Sequence, residues 1–99
     1  EVVSSSTKPV PRKPQGLKAN FEGDHIKITW QPNPEQDIAR YVVTRKSFLF
    51  WDKMGESTGT NFVYRGELKK GKSFTFRIIA VDQTSLESEP SEEVSITIP

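Results

Sequence analysis

The apolar residues of this chain recur with a period of two, and that pattern restricts the fold more than any other feature of the sequence. In the longest example, residues 72–81, Phe74, Phe76 and Ile78 alternate with Thr75 and Arg77. Successive side chains of a β-strand point to opposite faces, so this spacing predicts a strand with one buried face. No window of about 11 residues has the spacing of an amphipathic helix, and we therefore predict an all-β fold.

Seven runs of this kind are separated by residues that favour turns. Glycine, proline, serine, asparagine and aspartate are concentrated at residues 22–24, 31–36, 55–60, 70–71 and 83–85. Short strands with turns between them predict a β-sandwich or a β-barrel. The predicted strands are residues 15–21, 25–31, 39–47, 49–54, 61–65, 72–81 and 91–98.

Several motifs follow one another along residues 14–99. They are Pro14 with Leu17, Ile26-x-Ile28-x-Trp30, Ile38-x-x-Tyr41-x-Val43, Leu68 and Gly71 before the run from Phe74 to Val81, and Val94-x-Ile96. In order and spacing these motifs resemble a fibronectin type III domain. The resemblance implies a seven-stranded antiparallel immunoglobulin-like β-sandwich that spans residues 14–99.

Independently of the resemblance, the large ring of Trp30 suits the centre of a two-sheet core, packed against Tyr41 and Ile78, and Arg45 and Arg77 are predicted on outward positions. Two departures from the family are visible: Phe74 stands where the family usually has tyrosine, and residues 83–85 replace the usual glycine in the hairpin that follows. The predicted core comprises Leu17, Ile26, Ile28, Trp30, Tyr41, Val43, Leu68, Phe74, Phe76, Ile78, Ala80, Val94 and Ile96.

Residues 1–13 differ in composition from the rest of the chain. They combine three serines and two prolines with basic residues, and they lack an apolar run of the length found in a signal peptide. We predict a linker or a disordered N-terminal tail.

The residue types needed for catalysis or for metal binding are scarce. The chain has no cysteine, and His25 is its only histidine, placed beside Asp24 on an outward strand position. No phosphate-binding glycine loop or calcium-binding spacing occurs. We therefore expect a protein that is not an enzyme, with no catalytic, cofactor-binding or metal-binding residues and no cofactor.

Bulky apolar residues occupy four consecutive positions, 48–51. A half-buried strand hides only alternate side chains, so either Phe48 and Phe50, or Leu49 and Trp51, are expected to project into solvent unless a bulge or a covering loop buries both. Exposed apolar surface marks contact sites. The candidate interaction surface comprises Phe48, Phe50, Trp51, Lys53 and Met54.

Charge is unevenly distributed although the net charge is only +1. Residues 65–77 have a net charge of +4, and residues 82–99 have a net charge of −5. The small total argues against nucleic acid as a partner. No run approaches the roughly 18 apolar residues of a membrane helix, so we expect no membrane insertion by this segment.

Taken with the resemblance, these features predict a non-catalytic β-sandwich module that serves as a spacer or a protein–protein interaction unit. The sequence looks most similar to bacterial secreted or lipoprotein versions of the domain. The expected context is a larger extracellular, periplasmic or outer-membrane-associated protein, and the expected partners are another protein or neighbouring domains of the same chain. Two alternatives stay open: a polysaccharide-binding accessory module with Phe50 and Trp51 stacked on sugar rings, and part of an enzyme.

Overall fold

A computed structural model describes residues 9–99, and it places seven strands in two antiparallel sheets. One sheet has the order β1-β2-β5 and the other the order β4-β3-β6-β7. The predicted all-β sandwich is confirmed, and the described residues contain no helix. The strands are β1 (Gln15–Phe21), β2 (Ile26–Gln31), β3 (Ile38–Ser47), β4 (Phe50–Ser57), β5 (Asn61–Tyr64), β6 (Ser73–Asp82) and β7 (Val94–Thr97).

The core lies between the two sheets and is built from alternate residues of β2, β3 and β6. At its centre the rings of Trp30 and Tyr41 meet edge to face, with centroids 5.4 Å apart. Of the predicted core residues, the structure buries Ile26, Ile28, Trp30, Tyr41, Val43, Phe74, Phe76, Ile78 and Ala80. It leaves Leu17, Leu68, Val94 and Ile96 half-buried and packed against that cluster.

Strand β4 is longer than the sequence indicated, and the turn predicted from Gly55 is wrong. Val43 pairs with Gly55 and the next residue, Thr44, pairs with Lys53, so Met54 is an extra residue in a β-bulge. The Phe62 ring from the opposite sheet packs against Gly55. Gly55 is therefore a packing residue inside a strand, where a side chain has no room.

We expect Gly55→Ala to destabilise the domain by about 1–3 kcal/mol, the range found for overpacked cores. A β-carbon at this position would lie 2.6 Å from Phe62 Cε1, which is closer than carbon atoms approach. The measurement is the urea midpoint of unfolding, with Gly59→Ala as the control because a β-carbon at Gly59 meets nothing closer than 4.0 Å. Equal midpoints for the two variants would contradict the packing role.

Arg45 lies on the inner face of its sheet, which corrects the outward position predicted for it. It follows Tyr41 and Val43 on the same side of β3 and pairs with Phe76. Its Nη1 donates a hydrogen bond of 2.7 Å to the Tyr64 hydroxyl, and its guanidinium carbon lies 5.0 Å from the centre of the Phe74 ring. The guanidinium therefore covers the aromatic rings of Tyr64 and Phe74 at this end of the core.

The segment between β6 and β7 follows β6 without forming a regular strand. Ser88 and Ser91 each accept a hydrogen bond from a β6 amide through the side-chain oxygen, Ser88 from Ala80 and Ser91 from Ile78, both at 2.9 Å. These hydroxyls occupy the place of backbone partners, so β7 begins at Val94, later than the predicted residue 91.

The hairpin at residues 83–85 is organised by Asp82, which is buried. Its Oδ1 accepts hydrogen bonds from the amides of Thr84 and Leu86 and from the Thr84 hydroxyl. Ser85 adopts a φ of 69°. The Asp82 carboxylate thus closes the turn at residues 83–85, where the resemblance to fibronectin type III domains implies glycine.

The predicted tail, residues 1–13, falls largely on residues 1–8, which lie outside the described residues. Among its last residues, Pro11 is buried, and Arg12 contributes two hydrogen bonds. The Arg12 amide donates to Glu35 Oε2 at 2.9 Å, and its carbonyl accepts from Asn33 Nδ2 at 2.6 Å. The domain boundary at residue 13 stays a prediction.

Candidate interaction surface

The apolar run forms a hairpin tip, and this arrangement differs from the alternation predicted for a strand. Ser47 pairs with Phe50, so Phe48 and Leu49 are a two-residue loop between β3 and β4. Phe48 is 85% exposed, Leu49 75% and Phe50 69%. We call these three residues the apolar tip. Leu49 was absent from the predicted surface because the run was interpreted as a continuing strand.

Phe48 has a backbone conformation that disfavours its own side chain. Its φ is 55°, in the left-handed region that glycine and asparagine occupy most readily. Two-residue hairpin loops require such angles, and they usually carry glycine, asparagine or aspartate there. The chain therefore holds a large, exposed phenylalanine at a position where its backbone is strained and where it buries almost no surface.

Replacing Phe48 by glycine is expected to leave stability unchanged or to raise it by about 1 kcal/mol, because glycine adopts a positive φ without steric cost. Thermal unfolding of the Phe48→Gly variant measures the change. Phe50→Gly serves as the matched control: Phe50 has an ordinary strand conformation, so glycine there should destabilise the hairpin by up to about 1 kcal/mol. Destabilisation of several kcal/mol by Phe48→Gly would show that the ring is packed.

Trp51 lies below the tip on the outer face of the four-stranded sheet. The Arg77 guanidinium carbon sits 4.0 Å from the centre of its ring and so covers one face of the indole. Thr44 lies on the same face, opposite Arg77, and is only 7% exposed. Trp51 is half-buried and therefore serves partly as a structural cover.

The other two predicted surface residues have different surroundings. Lys53 is exposed, and its Nζ donates to Glu56 Oε2 at 2.6 Å, which lowers the pKa of the Glu56 carboxyl. Arg40 adds a second contact to that carboxylate at 3.4 Å. Met54, the bulge residue, is half-buried and packs against the core, so it does not contribute to an exposed apolar patch.

The basic segment of the sequence lies at the same end of the sandwich as the apolar tip. Arg45 pairs with Phe76, so β3 runs toward its tip in the direction of the start of β6, which Lys69, Lys70 and Lys72 precede. The acidic segment follows the other end of β6. Lys69, Lys70 and Lys72 thus lie at the same end of the molecule as the apolar tip, and we call this end the basic end.

His25 is held between two carboxylates at this basic end. Its Nδ1 lies 2.7 Å from Asp24 Oδ1, and its Nε2 lies 3.2 Å from Glu22 Oε1. The hydrogen bond to His25 lowers the pKa of the Asp24 carboxyl, and Arg65 lies 3.6 Å from the same residue. These contacts tie the β1–β2 loop together and bring no nucleophile next to the imidazole.

An open cleft of about 430 Å³ lies beside Arg77 and is lined by Pro90, Ser91, Glu92 and Glu93. Over residues 9–99, no three histidine, cysteine or acidic side chains come together in a way that could hold a metal ion. The same stretch contains no helix long and apolar enough to cross a membrane.

The model of one protein family, described as the fibronectin type III domain, matches residues 12–97. The chain belongs to the fibronectin type III family. Fibronectin type III domains are generally non-catalytic modules that commonly act as spacers or interaction units in multidomain proteins, and they also occur in glycosidases. No curated protein matches the sequence.

Solved structures show the same domain in different surroundings. An Fn3-like protein from Clostridium thermocellum is 26% identical with a TM-score of 0.74, over 92% of this chain and 96% of that one. The spore cortex lytic enzyme SleM of Clostridium perfringens is 29% identical with a TM-score of 0.75, over 89% of this chain and 28% of that one. A β-1,2-glucanase from Parabacteroides distasonis is 26% identical with a TM-score of 0.73, over 91% of this chain and 14% of that one.

This fibronectin type III domain therefore spans less than a third of the length of each of the two enzyme chains that it resembles. In those chains a domain of this fold accompanies a much larger remainder. The likeness concerns the module and not the activities that the names of those proteins describe.

Proposed function

We propose that this domain is a non-catalytic contact module of a larger extracellular or cell-envelope protein, and that the apolar tip is its contact surface. The observation that carries the proposal is Phe48, which is 85% exposed on a backbone with a φ of 55°. Strained positions and large exposed apolar groups concentrate at functional sites, because stability alone selects against both.

The sandwich supports this role mechanically. Strands β3 and β6 pair over Ile38 to Arg45, which gives the base of the hairpin a rigid attachment to the core. A partner that meets the tip therefore meets a preorganised surface and does not have to order a flexible loop, which improves affinity. The two ends of the domain are thereby held at a fixed separation, as a spacer requires.

The proposal is tested by placing a photo-crosslinking amino acid at position 50 in the natural protein in its own cells. We expect a discrete crosslinked product from position 50 and none from position 63, since Val63 is an exposed apolar residue of β5 outside the tip. The variant Phe48→Ser/Leu49→Ser should lose the product while its unfolding free energy changes by less than about 0.5 kcal/mol. Equal products from both positions, or severe destabilisation by the serine variant, would count against a contact surface at the tip.

A second candidate function is polysaccharide binding, which the exposure of Phe50 and the occurrence of this fold in a β-1,2-glucanase support. Stacking on sugar rings needs an open aromatic face, and Phe50 offers one, whereas Arg77 covers one face of Trp51. Retention on insoluble glucans that Phe50→Ala abolishes would favour this function. Passage of the wild-type domain without retention would exclude it for those glucans.

A further inference from the structure

The side chains of the β3–β4 hairpin are ordered in layers along its axis. Phe48 and Leu49 form the outermost layer, Phe50 comes next, and the pair of Trp51 and Lys46 lies one step further down. A lipid bilayer interface has the same order: acyl chains take up apolar groups, tryptophan prefers the headgroup level, and lysine extends its ammonium group to the phosphates.

The length of the hairpin also matches the depth of a bilayer interface. Pairing with β6 stops at Arg45, so residues 46–51 form a two-stranded ribbon. Its end, Phe48 to Phe50, is exposed, whereas Trp51 at its base is half-buried beside Arg77. At about 3.4 Å per residue, Phe48 lies about 10 Å beyond Arg45. Interfacial protein segments typically bury their apolar groups to a depth of about 5–10 Å.

The charge around the tip adds a preference for anionic lipid. Lys46 is exposed, and Lys69, Lys70 and Lys72 lie at the same end of the sandwich. Within the described part of the chain, Lys46 and Lys70 form no ion pair, so their ammonium groups are available to phosphates. The acidic residues at this end have partners of their own: Asp24 contacts His25 and Arg65, Glu22 contacts His25, and Glu67 contacts Lys69. Asp52 and Glu56 lie further down the hairpin, and Glu56 is engaged by Lys53.

We infer that the apolar tip docks as a shallow wedge into the surface of an anionic lipid layer, with Trp51 and Lys46 at headgroup level. This inference rests on the proposed function, in which the tip is the contact surface of the module, and it names the chemistry of the partner. A wedge of this depth enters one leaflet only. The expectation of no insertion concerned a membrane-spanning helix, which this contact does not need.

The experiment is cosedimentation of the full chain with vesicles of phosphatidylcholine and phosphatidylglycerol in equal parts, and with vesicles of phosphatidylcholine alone. We expect binding to the anionic vesicles, with at least a tenfold loss for Phe48→Ser/Leu49→Ser. Val63→Ser is the matched control and should bind like the wild type. Lys46→Gln should weaken binding about fivefold, since one lysine near an anionic surface contributes about that factor, whereas Lys13→Gln at the opposite end should not.

Tryptophan fluorescence provides a second readout. Trp30 is 5% exposed, so a blue shift on vesicle binding reports on Trp51, and it should disappear in Trp51→Phe. The inference would be overturned if the Phe48→Ser/Leu49→Ser variant still bound the vesicles. It would also be overturned if folded wild-type protein did not sediment with them. If the protein instead forms dimers that the tip variant dissociates, the lipid inference is wrong while the proposed contact surface stands. If the tip variant unfolds, both are wrong.

Discussion

Phe76→Ala is expected to destabilise the domain by about 3–5 kcal/mol, the range for removing a buried phenylalanine. The Phe76 side chain is fully buried, with the ring of Tyr64 5.5 Å away and that of Phe74 6.2 Å away. Tyr64 belongs to β5 of the opposite sheet and Phe74 to β6 itself, and both strands are held in their sheets, so the cavity left by alanine cannot collapse completely. Urea unfolding followed by far-ultraviolet circular dichroism measures the loss.

The control is Phe50→Ala, the same substitution at a ring that is 69% exposed, and its expected effect lies within about 0.5 kcal/mol. If Phe76→Ala leaves too little folded protein to measure, Phe76→Leu keeps most of the volume and should cost about 1 kcal/mol. Similar losses at positions 50 and 76 would contradict both the predicted core and the exposed tip.

The double variant Ser88→Ala/Ser91→Ala is expected to lose about 2–6 kcal/mol, the cost of leaving two buried backbone donors without acceptors. Ile78 and Ala80 are fully buried, so water cannot replace the lost hydroxyl oxygens at their amides. Chemical denaturation measures the loss of unfolding free energy in the double variant. Hydrogen exchange at the Ile78 and Ala80 amides should accelerate more than elsewhere in β6.

Ser95→Ala is the matched comparison for the serine pair. The Ser95 hydroxyl also forms a hydrogen bond, 2.8 Å to Thr75 Oγ1, but that bond is exposed to water and its loss should cost less than about 0.5 kcal/mol. If Ser88 and Ser91 prove as tolerant as Ser95, then their hydroxyls do not complete the hydrogen bonding of β6.

The strands and most of the core were predictable because their signal is strictly local. Alternation in β2 and β6 fixes which side chains face inward, and the family pattern adds the pairing of the sheets. Phe74 and Phe76 follow from this rule directly. Arg45 was predicted on an outward position, although it continues the inward alternation along β3. The two rings on which its guanidinium lies, Tyr64 and Phe74, come from different sheets, so this site exists only once the sheets are assembled.

The apolar tip and the position of Gly55 could not be derived from local signals. Phe48 and Leu49 form a tight hairpin loop without any residue that usually marks one, so the apolar run by itself favours a half-buried strand that begins at residue 49. Gly55 has the opposite property, because it suggests a turn although its role is to make room for Phe62 from the other sheet. The role of Gly55 depends on a partner distant in sequence, and so do the hydroxyl acceptors of Ser88 and Ser91, which therefore went unpredicted.

The hydroxyl contacts along β6 also bear on how this module behaves beside copies of itself. Regular edge strands can recruit strands from neighbouring molecules and start aggregation. Here the irregular segment at residues 86–91 covers part of β6, β7 is only four residues long, and the opposite edge, β4, carries a bulge and the charged residues Asp52, Lys53 and Glu56. Both edges of the larger sheet are thus poor templates for strand exchange, so this sheet resists pairing with the same sheet of a neighbouring copy.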